Sequence, residues 1–204
     1  MSFKLEKILD RGLMLYGYEV LLDSGVNVFL KDCKSCFDDI LLNQLDFLML
    51  NAEVNGMKGR FFINVERFQL EDVFLLNKVC NRICDLHALG VSVYLELTER
   101  DYGTNLSVEY LMSIRDKFNF SFVADDVTLN DFRQDEILSG LYTIVKLEPC
   151  LIDSLSAELS NWMSLMKKEH GTKFLAEKIE TYSMLDKALS LPMDYLQGFV
   201  FSEH

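Results

Sequence analysis

Two adjacent carboxylates, Asp125 and Asp126, close an apolar run, Phe118 to Asp126 (FNFSFVADD). Like charges side by side at the end of a buried strand repel unless a cation or a proton lies between them. One Asp would serve as a helix N-cap, satisfying orphan backbone N–H groups; a pair exceeds that need. The pattern recurs along the chain. Other apolar stretches carry Glu19, Asn64, Glu96, Lys146, Glu177 and Gln197 within or just past them, with Glu99 in the loop after Glu96. A cap or a solvated loop explains any one of these, but their recurrence at strand after strand points to a shared site. Carboxylates and an amide oxygen are hard ligands, suited to Mg²⁺ or Mn²⁺ and not to zinc. A pair of such ions can hold a bridging water and a phosphoryl oxygen. A lysine among them suits charge stabilisation or general-base work. The implied chemistry is metal-assisted hydrolysis of a phosphate ester.

The elements that must position these residues alternate. Lys4–Leu9 and Leu13–Leu22 read as strands paired across a turn at Asp10-Arg11-Gly12. Further strands are expected at Arg60–Val65, Val91–Leu97, Phe118–Asp126, Tyr142–Leu147, Thr172–Glu177 and Tyr195–Phe201. Helices are expected at Cys36–Asn55, Leu70–Leu89, Ser107–Lys117, Thr128–Leu138, Leu151–Glu169 and Thr181–Leu189. The helix over 151–169 carries the stripe Leu151, Leu155, Leu159, Trp162 and Met166. Strands alternating with helices argue for a parallel sheet with helices outside, and this many units argue for closure. The fold class is α/β, a (β/α)8 TIM-like barrel, with an antiparallel first strand pair because so short a turn joins antiparallel neighbours. An open doubly wound sheet is the alternative, but no glycine-rich phosphate loop supports it. In such barrels chemistry gathers at the C-terminal strand ends. The whole chain, 1–204, fits a single domain.

Composition narrows the function. The net charge of −12 disfavours a nucleic-acid surface, which needs basic patches, and suits cations or a partner with a basic face. The odd cysteine count argues for a reducing compartment, and Cys33-Lys34-Ser35-Cys36 lacks the context of a redox motif or a zinc site. The start, MSFKLEKILD, has no apolar run for a signal peptide, and Ile40–Leu50 is too short to span a bilayer. A cytoplasmic protein without membrane attachment is the expectation. His87, His170 and His204 fall away from the strand ends and read as surface or packing residues.

These residues resemble the EAL domain family, the phosphodiesterases that open cyclic di-GMP to the linear dinucleotide. The resemblance runs from Tyr18 to Ser202. Its motifs stand here as Glu19-Val20-Leu21, Ile63-Asn64-Val65, Glu96-Leu97-Thr98-Glu99, Asp125-Asp126-Val127, Lys146-Leu147-Glu148, Ala176-Glu177-Lys178-Ile179-Glu180-Thr181 and Gln197-Gly198-Phe199-Val200-Phe201-Ser202. The resemblance implies that Glu19, Asn64, Glu96 and Asp125 hold one metal, and that Asp126 joins Asp125 at a second. Lys146 and Glu177 would orient and activate the attacking water, Glu99 would anchor the loop after the fifth strand, and Gln197 would support the ligands from behind. Mg²⁺ or Mn²⁺ is the implied cofactor if the site is competent.

The departures are as informative. Asp23 stands where the family places an arginine for a substrate phosphate. Losing that charge-assisted contact costs about 1.5–3 kcal/mol, roughly one to two decades in affinity. Val127-Thr128 replaces Phe-Gly, Glu148 replaces Asp, Lys178 replaces Gly, Glu203-His204 replaces Lys-Pro, and the stretch between Glu19 and Asn64 is short. A complete cage beside a damaged clamp favours a degenerate regulatory protein. It would bind a protein partner, such as a transcription regulator of motility, and take cyclic di-GMP weakly or not at all. An active Mg²⁺- or Mn²⁺-dependent phosphodiesterase is the alternative, and a homodimer is open. The Ile40–Leu50 helix is apolar nearly all round, so it is either core or covered by a partner.

Overall fold

Asp10 shapes the first turn. Its Oδ1 accepts from Gly12 N (2.8 Å) and Met14 N (2.9 Å), and Leu13 takes a left-handed φ of 63°. The turn joins β1 (Phe3–Asp10) to β2 (Leu15–Leu22) as an antiparallel pair. The computed structural model describes residues 1–23, 34–100, 104, 106–128, 131, 133–153 and 157–201.

The strands β3 (Gly59–Val65), β4 (Val91–Leu97), β5 (Phe122–Val127), β6 (Ile144–Leu147), β7 (Lys173–Ala176) and β8 (Tyr195–Gln197) follow. From β2 onward each pairs parallel with the next, and β8 pairs antiparallel with β1 to close an eight-stranded barrel. The TIM-like barrel with an antiparallel first pair is therefore the observed fold. Its parallel strands read as apolar runs because helices cover their outer faces. Ile8, Phe62, Val123, Ile144 and Leu175 pack inside the barrel, and a larger core lies between strands and helices.

The helices are α1 (Lys34–Asn55), α2 (Val73–Ala88), α3 (Val108–Phe118), α4 (Gln134–Leu138), α5 (Pro149–Asp153), α6 (Ala157–His170) and α7 (Tyr182–Ser190). Leu41, Leu45, Leu48 and Ala52 seat α1 on the barrel, and Gln44 Nε2 donates to Val20 O at 2.7 Å. Most of the apolar face read at Ile40–Leu50 thus lies in the core or packs against it, while Leu50 is 60% exposed.

Several boundaries differ from expectation. Phe118 ends α3, and Asn119 caps it in the left-handed region at φ 54°, so the strand begins at Phe122 and not Phe118. The Phe118–Phe120 pair, ring centroids 5.3 Å apart, stacks beside the helix end and is not strand alternation. Asp72 starts α2 by accepting from Phe74 N and Leu75 N, after a 3₁₀ turn at Arg67–Glu71, so the helix does not begin at Leu70. The long helix expected over 151–169 is two, α5 and α6; Leu155 of its stripe lies outside the described residues. Within α6, Leu159, Met163 and Met166 are buried. The helix expected over 128–138 is described only as α4, and positions 129, 130 and 132 lie outside the described residues. The last strand stops at Gln197. Gly198 has φ 153°, and a Cβ there would sit 2.2 Å from Ile179 N, so the chain turns into a 3₁₀ segment, Phe199–Phe201.

Candidate metal centre

The strand ends converge on one ammonium. Lys146 Nζ, projecting from β6, lies 2.7 Å from Asp125 Oδ1, 3.2 Å from Glu19 Oε2, 3.2 Å from Glu96 Oε1 and 3.7 Å from Glu177 Oε2. Gln197 Nε2 donates to Glu19 Oε2 at 2.6 Å, and Asn64 Nδ2 approaches Glu19 Oε1 at 3.4 Å. Residues from β2, β3, β4, β5, β6 and β8, with Glu177 just past β7, thus meet at one rim. The register explains it: Asn64 pairs with Glu96 across β3–β4, and Lys146 sits one residue before the end of β6.

Asp125 and Asp126 both belong to β5, where successive side chains should face opposite ways. The pairing with β6 slips between Ala124 and Val127, and Asp126 takes φ 49° at the slip. Such an irregularity re-aims side chains. As a result Glu99, Asp125 and Asp126 each offer an oxygen within 4.8 Å of the others. Glu99 is held nearby through its neighbours. Thr98 Oγ1 donates to Glu66 Oε2 at 2.7 Å, and Arg100 pairs with the same carboxylate.

The electrostatics show a site short of positive charge. Burial pushes the Glu96 carboxyl well above the usual range, and Glu19 and Asp125 add to the rise. Burial likewise raises Glu177 well above it, and raises Asp125. Burial resists the charge on Glu19, yet Lys146, Gln197 and Asn64 together hold its carboxyl below the ordinary value. Burial also opposes the charge on Lys146, but Asp125, Glu19, Glu96 and Glu177 outweigh it and raise the ammonium well above its ordinary value. Both oxygens of Glu96, Asp125 Oδ1, Glu177 Oε1 and Gln197 Oε1 are buried without an aligned hydrogen bond. Buried polar atoms left in that state call for a partner. A divalent cation fits that donor set, because the orphans are hard oxygens and the carboxylates outnumber the lysine.

Sequence reasoning missed two cations. Arg133, fully buried, donates to Asp125 O (2.5 Å) and Leu97 O (2.9 Å) and pairs with Asp131 at 2.6 Å, locking the β5 end to β4. It lies just before α4, where no periodicity marks it. Lys178, read as a lost glycine, keeps a glycine-like φ of 54° and reaches Asp126 Oδ1 at 2.6 Å and Glu148 Oε1 at 2.7 Å. Asp23 Oδ2 accepts from Ser2 Oγ at 3.3 Å, and its amide donates to Ser2 O, which ties it to the chain's start. Glu180 and His87 lie on exposed positions, and His170 ends α6. Cys80, Cys84 and Cys150 are free thiols. Cys33, Ser202, Glu203 and His204 lie outside the described residues. No helix among the described residues is long and apolar enough to cross a membrane.

A family model described as "EAL domain" matches residues 32–204. Solved structures share the fold. The "PaMucR Phosphodiesterase, c-di-GMP complex" superposes with a TM-score of 0.76 at 15% identity, covering 99% of this chain and 95% of that one. The Klebsiella pneumoniae BlrP1 calcium/cy-diGMP complex gives 0.76 at 17% identity over 99% of this chain and 55% of that one. The EAL enzyme Bd1971 in its cAMP-bound form gives 0.73 at 14% identity over 99% of this chain; the chain spans only 62% of that protein's length. No curated protein matches the sequence.

Proposed function

We propose a function from one premise: the chain belongs to the EAL domain family, and its rim is a divalent-metal-dependent cyclic di-GMP phosphodiesterase site of low turnover. The observation that carries this reading is the crowd of buried oxygens of Glu19, Glu96, Asp125, Glu177 and Gln197, whose carboxylates share Lys146 as their ammonium. Structures of the same fold, PaMucR and BlrP1, hold cyclic di-GMP.

Glu19, Asn64, Glu96 and Asp125 would hold an Mg²⁺ or Mn²⁺ ion. That ion supplies Lewis acidity toward a phosphoryl oxygen. Gln197 and Asn64 fix the Glu19 carboxylate by donating to its two oxygens. Glu177 sits within ion-pair reach of Lys146 and beside Asp126, placed to accept a proton from an attacking water. Lys146 stays protonated through the neutral range, so its role is to offset charge on the reacting phosphate rather than to act as a base. Water adds to phosphorus as Glu177 takes its proton, the bond to one ribose oxygen breaks, that oxygen takes up a proton, and the linear dinucleotide leaves.

The second reading is a regulatory protein that binds a protein partner, such as a motility transcription regulator, with little or no hydrolysis. Asp23 favours it, since a carboxylate stands where the resemblance expects a guanidinium fork for phosphate. Lys178 favours it as well, because it already neutralises Asp126. Hydrolysis of labelled cyclic di-GMP to its linear product, in Mn²⁺ and in chelator, separates the two. Slow Mn²⁺-dependent turnover that disappears in Glu19→Ala is expected. No turnover together with no nucleotide binding by calorimetry would defeat the phosphodiesterase reading.

A further inference from the structure

We propose that Lys178 is a tethered cation that keeps a divalent ion out of the outer carboxylate cluster of Glu99, Asp125 and Asp126. The chain then binds one ion fewer than its acidic rim offers. This rests on the reading of the rim as a divalent-metal centre.

The cluster has the makings of an ion site. Its three carboxylates offer oxygens within 4.8 Å of one another. Beside it, Glu177 Oε1 is buried and lacks a hydrogen bond, while Asp125 Oδ1 is already paired with Lys146 at 2.7 Å. What distinguishes this chain is the occupant. Lys178 Nζ takes Asp126 Oδ1 at 2.6 Å and bridges to Glu148 Oε1 at 2.7 Å. Burial disfavours the Lys178 charge, but Asp126 and Glu148 outweigh it and hold the ammonium above its ordinary value.

The backbone marks the cost of this arrangement. Lys178 at φ 54° and Asp126 at φ 49° both sit in the left-handed region, which favours residues without a Cβ. Two residues held in that region and joined head to head are a strained contact kept in place by its surroundings. Lys178 also directly follows Glu177, so its stem is anchored at the rim. Its local concentration far exceeds that of a free cation. An incoming divalent ion would have to displace the ammonium from Asp126 and then meet it as a like charge a few ångströms away. An ammonium bonds as a point charge and does not gather several oxygens as a divalent ion does. The cluster therefore keeps its charge balance and loses its capacity as a ligand set.

The test counts ions. The full chain and the variants Lys178→Gly, Lys178→Gln and Lys178→Gly/Asp126→Asn are dialysed against Mn²⁺, and bound metal per chain is measured by atomic absorption. Lys178→Gly suits the backbone at φ 54°, so the fold is retained; Lys178→Gln removes the charge while keeping the stem. Both single variants are expected to hold one ion more per chain than wild type. The double variant is expected to return to the wild-type count. Equal counts in wild type and the single variants, or a gain that survives Asp126→Asn, would overturn the proposal. The wild-type count itself reports on the inner set of Glu19, Asn64, Glu96 and Asp125. The difference between proteins reports on Lys178, so the two readings fail separately.

Discussion

Replacing Lys146 by methionine removes the ammonium that faces Glu19, Glu96, Asp125 and Glu177 while keeping most of its volume. Lys146 is 2% exposed, so water cannot take over the role of the lost charge. Breaking a buried ion pair by deleting one partner costs about 3–5 kcal/mol. In a chain of this size 1 kcal/mol shifts Tm by about 2–4 °C, so a fall of roughly 6–20 °C is expected in chelator. The folded ammonium titrates above its ordinary value. Its contribution is therefore fully present below the unfolded value and is lost only as pH rises through the folded one, so the wild-type to Lys146→Met gap stays constant between pH 6 and 8 as far as Lys146 itself is concerned. Mn²⁺ changes the comparison. An ion at 100 times its dissociation constant adds about 2.7 kcal/mol, and the variant should gain more from it than wild type, because it has no competing ammonium. Circular-dichroism melts in chelator and in Mn²⁺ read both effects. A variant within about 1 kcal/mol of wild type in chelator would show that the carboxylates do not depend on this lysine, and the electrostatic account of the rim would fail.

Other perturbations probe the same frame. Glu96→Gln removes a buried carboxylate whose folded value is raised by burial and by Glu19. A raised acid opposes folding above its unfolded value and stops doing so as pH falls, so the variant should gain about 1–3 kcal/mol in chelator at pH 8 and less near pH 5, by urea denaturation. Arg67→Met should cost about 3–5 kcal/mol, because Arg67 pairs with buried Glu136 through two bonds at 3.0 and 2.5 Å. Adding Glu136→Leu to it should recover part of that loss. Gly198→Ala forces a Cβ to 2.2 Å from Ile179 N at a φ of 153°. It should cost about 3 kcal/mol and, by moving Gln197 off Glu19, weaken Mn²⁺ binding by calorimetry.

Alternation of apolar runs with helical stripes was enough to reach the barrel, because both faces of a parallel strand are buried and its composition shows it. The rim residues were legible from their recurrence: a cap or a loop explains a single charge such as Lys146 in Tyr-Thr-Ile-Val-Lys-Leu, but not one at strand after strand. What stayed hidden depends on backbone geometry that residue types do not announce. The phenylalanines from 118 to 122 alternate like a strand, yet Asn119 adopts the left-handed region and caps a helix there. The slip between β5 and β6 that turns Asp125 and Asp126 toward one side leaves no pattern in the sequence. Lys178 reads as a missing glycine, and only its reach to Asp126 and Glu148 reveals it as a charge partner. Arg133 acts through the carbonyls of Leu97 and Asp125, contacts that no local spacing encodes.

The hairpin strand β1 bonds to β2 on one side and to β8 on the other, with Ile8 opposite Gln197. During synthesis the first strand leaves the ribosome long before β8, so the seam joining them can be sewn only once β8 has been made. Until then β1 has one edge open, and Glu19 lacks the amide of Gln197. A nascent chain is thus barred from assembling this rim early, and any truncation that deletes β8 should abolish both the seam and the Gln197–Glu19 contact together.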